Sequence, residues 1–245
     1  MKILIVLAHP DDETIGMGGT LKKLTRHNEV LALFLSEGIT SRKRAGYINS
    51  PSYEVTKEQI KKMSKEIEIR KKHTRHALDI LGVKKIRFLD LPNNELDAVP
   101  LLKIVKEIEK EITSSKCGMI FTHHYNDLNI DHQIAYNATI TAARPLFNSP
   151  VKSIVSFESI SSTDWRKPYK FNPNMFVDIS SELKHKLKAL REYKHEIRKF
   201  PHPRSEKTVE ATAIRWGSLY GVKAAEAFEI VMTRVNDFNK TSLFS

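Results

Sequence analysis

Short runs of nearly unbroken apolar residues recur at Ile3–Leu7, Val30–Leu35, Ile86–Leu89, Met119–Phe121 and Ile154–Phe157, and the stretches between them have helical periodicity. A strand that is apolar on both sides needs cover on both faces, the situation inside a parallel sheet with helices packed above and below it. The alternation therefore predicts an α/β fold: a mostly parallel sheet with helices on both faces. Helices are expected over Thr14–Arg26, Tyr53–Leu81, Pro100–Thr113, Asp131–Ala143, Ser181–Lys199 and Lys207–Leu219. Pro100 suits a first helical turn, and Gly82 suits a helix end. Ser159–Asn174, SISSTDWRKPYKFNPN, has two prolines and little periodicity and reads as a long loop, the kind that often carries function. No repeat or linker divides the chain, so residues 1–245 are read as one domain.

A chain of 245 residues can bury roughly 70–75% of its unfolded surface, so it has no need of disulfides. Its single cysteine, Cys117, cannot form an intrachain bridge, which agrees with a reducing, cytoplasmic setting. The first apolar run leads into HPDDE instead of a small-residue cleavage site, so it reads as a buried strand and not as a signal peptide. No run approaches the ~18 apolar residues of a membrane span. Lys and Arg number 40 against 29 Asp and Glu, a formal charge of +11. The bases crowd into Lys57–His76, KEQIKKMSKEIEIRKKHTRH, where acids are mixed among them at helical spacing, as on a solvated helix face. No aromatic residues are interleaved, which argues against a nucleic-acid platform. The charge suits attraction of an anionic substrate, such as a sugar phosphate, a nucleotide sugar or a lipid headgroup.

Chemistry concentrates where strands end. His9, Pro10, Asp11, Asp12 and Glu13 follow the first strand and open the first helix, at the sheet edge where ligands bind in open α/β folds. Helix capping accounts for one acid or two. It does not account for His9, nor for two adjacent aspartates whose repulsion a divalent cation would relieve. A dinucleotide loop would place glycines in the turn itself; here Gly16, Gly18 and Gly19 come later, inside the helix, where they let it lie close to a strand. A second cluster, HHYNDLNIDH from His123 to His132, follows the strand around Met119–Phe121 and should face the same edge.

HPDDE with its trailing GMGG, Arg70 and the ALDILG that follows it, FLDLPNNELD, NDLNIDH, and the late PHPRS and AEAFE together resemble the PIG-L/LmbE family of zinc-dependent N-acetylglucosaminide deacetylases. The resemblance implies a Rossmann-like three-layer fold, a catalytic Zn2+, and hydrolysis of the acetamide of an N-acetylated amino sugar or its conjugate. It makes His9, Asp12 and His132 the zinc ligands and Asp11 the general base. Three protein ligands leave a fourth position for water. Arg70 and Asn93 match positions that bind sugar hydroxyls. Asp127 and Asp131 are second-rank groups that orient the histidines or the base.

Many relatives have a histidine three residues before the last zinc ligand, where this chain has Asn129, which is expected to bind substrate by donating a hydrogen bond but cannot transfer a proton at neutral pH. Asp11 would then return the proton itself, with His202 as the other candidate acid. At the last position of the family's RxxE this chain has His73. Trp165 or Tyr125 would offer an aromatic face to a sugar. The expected partner is a small N-acetylated sugar or sugar conjugate; nucleic acid is not expected, and peripheral contact with a lipid-linked substrate is allowed. The rival readings are the same scaffold on a different N-acyl substrate, such as a thiol-biosynthesis sugar conjugate, and a non-catalytic nucleic-acid-binding protein.

Overall fold

The computed structural model describes residues 1–39 and 57–235. Seven strands form one sheet: β1 (Lys2–Leu7), β2 (Glu29–Ser36), β3 (Lys85–Leu91), β4 (Met119–His123), β5 (Ser153–Phe157), β6 (Met175–Asp178) and β7 (Ala225–Thr233). Their order is β3-β2-β1-β4-β5-β7-β6, and only β7 runs antiparallel to its neighbours. The helices are α1 (Asp12–Leu24), α2 (Lys57–Leu81), α3 (Leu101–Ser115), α4 (Ile130–Ala142), α5 (Leu183–Glu192) and α6 (Glu206–Tyr220). The expected residues Tyr53–Thr56 of the second helix lie outside the described residues. Among the described residues no helix is long and apolar enough to cross a membrane.

Strand alternation divides the core into two layers. Ile3, Ile5, Leu7, Ala32 and Phe34 face α1 and α2, where Met17, Leu21, Leu78 and Leu81 meet them. Leu4, Val6, Ala8, Leu33 and Leu35 face the other way, onto Ile104, Ile108 and Ile112 of α3 and Ala135 and Ala138 of α4. Ile5 is fully buried, and truncating such a side chain to alanine costs about 2–5 kcal/mol. Four of the continuous apolar runs are thus interior strands of a three-layer α/β/α fold, and the fifth, Ile86–Leu89, is the half-buried edge strand β3.

Two strands escape the apolar-run criterion. β7 carries Glu226 and Glu229 among its apolar residues, and β6 is only four residues long. The expected helix Ser181–Lys199 is also corrected: α5 ends at Glu192, because the Tyr193 hydroxyl turns inward to donate to Glu13 Oε1 at 2.6 Å and Glu196 turns inward to pair with Arg70. The Ser159–Asn174 stretch is mainly loop, with a single 3-10 turn at Thr163–Trp165.

α1 breaks at Met17 (φ −148°, ψ 23°). The groups freed by the break are taken up from afar: Lys186 Nζ donates to Ile15 O at 2.8 Å, and Glu226 accepts from the Gly19 and Thr20 amides at 3.0 and 2.6 Å. Lys186 and Glu226 pair with each other at 2.6 Å, both buried. Close packing makes the glycines necessary here. A Cβ on Gly16 would run into the Phe157 ring, and one on Gly19 would lie 2.7 Å from Ile179.

Candidate active site

β1 pairs with β2 on one side and β4 on the other, so chain order reverses between β1 and β4. Loops leaving such a switch point diverge and open a crevice at the carboxyl edge of the sheet. Both His/Asp clusters lie there. His9 Nδ1, Asp12 Oδ2 and His132 Nε2 form a nearly equilateral triangle with sides of 3.2, 3.3 and 3.4 Å. Zinc with nitrogen and oxygen ligands at ~2.0–2.1 Å in a tetrahedron sets them ~3.3 Å apart, so the donor set and its spacing fit that ion. Among the described residues this is the one group of His, Cys, Asp and Glu side chains so arranged, and all three are buried.

Each histidine has a carboxylate behind it. His9 Nε2 lies 2.9 Å from Asp131 Oδ2, and Asp131 is held by the amides of Asn94 and Leu96 at 2.6 and 3.0 Å. His132 Nδ1 lies 3.1 Å from Asp127 Oδ2, which also accepts from the Thr163 hydroxyl at 2.6 Å. Such partners fix the ring orientation and raise ligand basicity. The electrostatics favour a cation. Burial alone would push His132 down, but the charges of Asp12 and Asp127 raise it to about 10. Burial would push Asp12 up, yet the His132 and His123 rings hold it well below the usual carboxylate range.

His123, at the end of β4, is part of this layer although the sequence reading did not assign it a role. Its ring stacks on His132 with centroids 3.9 Å apart, and its Nε2 accepts the Ala8 amide at 2.9 Å. Burial, then the neighbouring His132, lower its pKa to about 3, so it is neutral. The signal was available in the His123–His124 doublet directly after an apolar run.

Asp11 caps α1 in the left-handed region at φ 109°, a costly conformation for a non-glycine residue and one that clusters at functional sites. Its carboxylate is buried. Arg204 Nη1 donates to Oδ2 at 3.0 Å and Arg70 Nη2 lies 3.8 Å from the same atom, while Oδ1 has no hydrogen-bond partner among the described residues. Burial raises the Asp11 pKa, against the pull of Arg204 and Arg70.

Arg70 is a buried residue and not part of the solvated face of α2: it donates to Pro10 O at 2.5 Å and pairs with Glu196. A cavity of about 450 Å³ adjoins it, lined in part by Ile69, His73, Tyr193 and Arg198. Asn93 is buried just beyond β3. Asn129 is the N-cap of α4: its Oδ1 accepts the Asp131 amide at 2.9 Å and its Nδ2 donates to Asn94 Oδ1 at 3.1 Å. His202 Nδ1 accepts the Arg204 amide at 3.0 Å, and its ring meets Trp165 edge-on at 6.3 Å. Trp165 and Tyr125 are both exposed.

The chain is similar to the diacetylchitobiose deacetylase of Thermococcus kodakarensis, with 29% identity over 240 residues, covering 94% of this chain and 83% of that one. It also matches a probable N-acetyl-alpha-D-glucosaminyl L-malate deacetylase 2 of Bacillus cereus at 24% identity, covering 77% and 80% of the two chains. Among solved structures, the N,N'-diacetylchitobiose deacetylase of Pyrococcus horikoshii superposes with a TM-score of 0.69 at 24% identity, over 94% of this chain and 84% of that one, and shares the fold. Residues 4–143, which carry all of His9, Asp11, Asp12 and His132, match the family described as PIG-L, GlcNAc-PI de-N-acetylase, and the chain belongs to that family.

Proposed function

We propose that this protein is a zinc-dependent N-deacetylase acting on an N-acetylated amino sugar or its conjugate. The observation that carries the reading is the buried triangle of His9, Asp12 and His132 with a second carboxylate, Asp11, beside it whose Oδ1 has no hydrogen-bond partner among the described residues. Relatives named for deacetylation of diacetylchitobiose and of a glucosaminyl malate support the substrate class.

His9, Asp12 and His132 would hold the zinc, and Asp131 and Asp127 keep each imidazole nitrogen turned toward it. When bound, the ion supplies Lewis acidity, acidifying a water toward neutral pH and drawing charge from the acetyl carbonyl. Asp11 takes the attacking water's proton at Oδ1 and returns it to the departing amine. Asn129 takes no part in proton transfer, since an amide does not ionise at neutral pH and its side chain is committed to capping α4 and to Asn94. Arg70 and Asn93 meet the hydroxyls of the sugar, and the cavity beside Arg70 receives the rest of the conjugate.

The test is acetate release by the purified protein from N-acetylglucosamine, N,N'-diacetylchitobiose, N-acetylglucosaminyl malate and N-acetylglucosaminyl phosphatidylinositol. Activity should disappear with a chelator and return with zinc. Cleavage only of N-acyl compounds that are not sugars would move the assignment to another amide on the same scaffold, and metal-independent turnover would overturn it.

A further inference from the structure

Three buried charged side chains, Asp11, Arg70 and Glu196, and the partly buried Arg204 close into a ring beside the His9–Asp12–His132 triangle. Asp11 Oδ2 meets Arg204 Nη1 at 3.0 Å, and Arg204 Nη1 lies 3.5 Å from Glu196 Oε2. Glu196 Oε1 pairs with Arg70 Nη1, and Arg70 Nη2 returns to Asp11 Oδ2 at 3.8 Å. Two guanidiniums and two carboxylates balance in charge, as buried ions must. Arg204 has a further anchor, its Nε donating to Ser161 Oγ at 2.8 Å, so one side chain ties the α1 entry to the loop after β5. That loop supplies Ser162 and Thr163, which touch His132 and Asp127.

The ring is one-sided. Both arginines approach Oδ2 of Asp11, and Oδ1 has no hydrogen-bond partner among the described residues. A carboxylate at the end of a strained turn could rotate and present either oxygen; fixing one with a charge-assisted bond leaves the other in a single place. We propose that Arg204 is a positioning residue for the deacetylation reaction, working through Asp11: it holds Oδ2 so that Oδ1 alone handles the proton. Arg70 shares the ring but lies farther from Asp11 and is committed to Pro10 O and Glu196. Arg204 therefore provides the closer hold.

This inference rests on the reading of Asp11 as the proton-handling group, and a double-mutant cycle separates the two. With zinc-loaded enzyme and N,N'-diacetylchitobiose as probe, Arg204→Ala should lower kcat about 10- to 100-fold, the usual penalty for losing an orienting partner, with KM changed far less. Zinc content should stay stoichiometric. Added guanidinium ion should restore part of the rate to Arg204→Ala and none to Asp11→Asn. In an Asp11→Asn background, Arg204→Ala should cost almost nothing further. If the two losses multiply, Arg204 does not act through Asp11 and the inference fails while Asp11 keeps its role. If Asp11→Asn alone is fully active, the Asp11 assignment fails first and takes the inference with it. Should Arg204→Ala not fold, Arg204→Lys decides: a folded, zinc-loaded protein with reduced kcat supports the proposal, and unchanged kcat overturns it.

Discussion

His9 Nδ1 lies 3.2 Å from His132 Nε2, although the two residues are 123 positions apart in the chain. Two imidazole nitrogens at that spacing, with Asp12 Oδ2 completing the triangle, suit a shared cation, and under the proposed function that cation is zinc. His132→Ala should therefore lose zinc and activity together while the fold, held by two core layers, persists. Zinc by elemental analysis and far-UV circular dichroism check this; full zinc occupancy in the folded variant would remove His132 from the ligand set.

The adjacent aspartates should separate. Asp11→Asn keeps zinc and loses turnover by ~10²–10⁴-fold, the span of general acid–base catalysis, toward the severe end because the same group serves both transfers. Asp12→Asn weakens the metal site instead, since a neutral amide oxygen is a poorer ligand. Excess zinc then rescues Asp12→Asn in part and Asp11→Asn not at all. The opposite pattern of zinc retention would exchange the two roles.

Asp127→Asn should reduce zinc affinity or turnover about 10- to 100-fold, because the His132 ring loses its charged partner. Thr163→Val, which removes the hydroxyl that donates to Asp127 and accepts the Ser159 amide, should do the same more mildly. Competition with a chromogenic chelator measures the affinity, and wild-type affinity in Asp127→Asn would refute the orienting role.

The kink in α1 makes a stability prediction. Lys186→Met leaves Glu226 buried without its cation and should cost about 3–5 kcal/mol, as breaking one partner of a buried pair does. Lys186→Met combined with Glu226→Gln should recover part of that loss, because no unpaired charge is left buried and the glutamine oxygen still accepts one of the two amide bonds from Gly19 and Thr20. Urea denaturation at fixed zinc resolves the difference. A double variant no more stable than the single one would show that the charge of Glu226 is not the source.

Glu158 gives a pH dependence. Burial, reinforced by Asp164, raises its carboxyl to about 7 despite hydrogen bonds from Trp216 Nε1 and the Tyr169 hydroxyl. The ordinary value is 4.5, so between 4.5 and about 7 the folded state binds more protons than the unfolded state. Stability from this group is present below 4.5 and declines as pH rises through about 7. Glu158→Gln removes the dependence: the Tm of the variant relative to wild type should rise from pH 5 to pH 8. A constant difference across that range would contradict it.

Much of this was legible in the sequence for a local reason. His9, Asp11 and Asp12 directly follow an apolar run, and Asp127, Asp131 and His132 follow another, so strand ends alone placed both clusters on one edge. β7 was not legible because Glu226 and Glu229 interrupt its apolar pattern, and those acids serve partners far along the chain. Tyr193 and Ile197 continue a helical spacing past Glu192, but the bonds of Tyr193 to Glu13 and Glu196 to Arg70 outweigh local propensity. Arg204 was hidden among many bases; only the tertiary fold distinguishes an arginine against Asp11 from one in solvent.

Because β7 enters between β5 and β6, the last described strand of the chain is an interior strand of the sheet. A nascent chain that has reached residue 200 already contains His9, Asp11, Asp12 and His132, yet lacks Arg204, which holds Asp11, and Glu226, which closes the break in α1. The ligands are made early and their rigid frame is made last. The residues proposed for the metal are therefore synthesised before those proposed for the chemistry's frame, and β6 has no strand to pair with until β7, the last described strand, is in place.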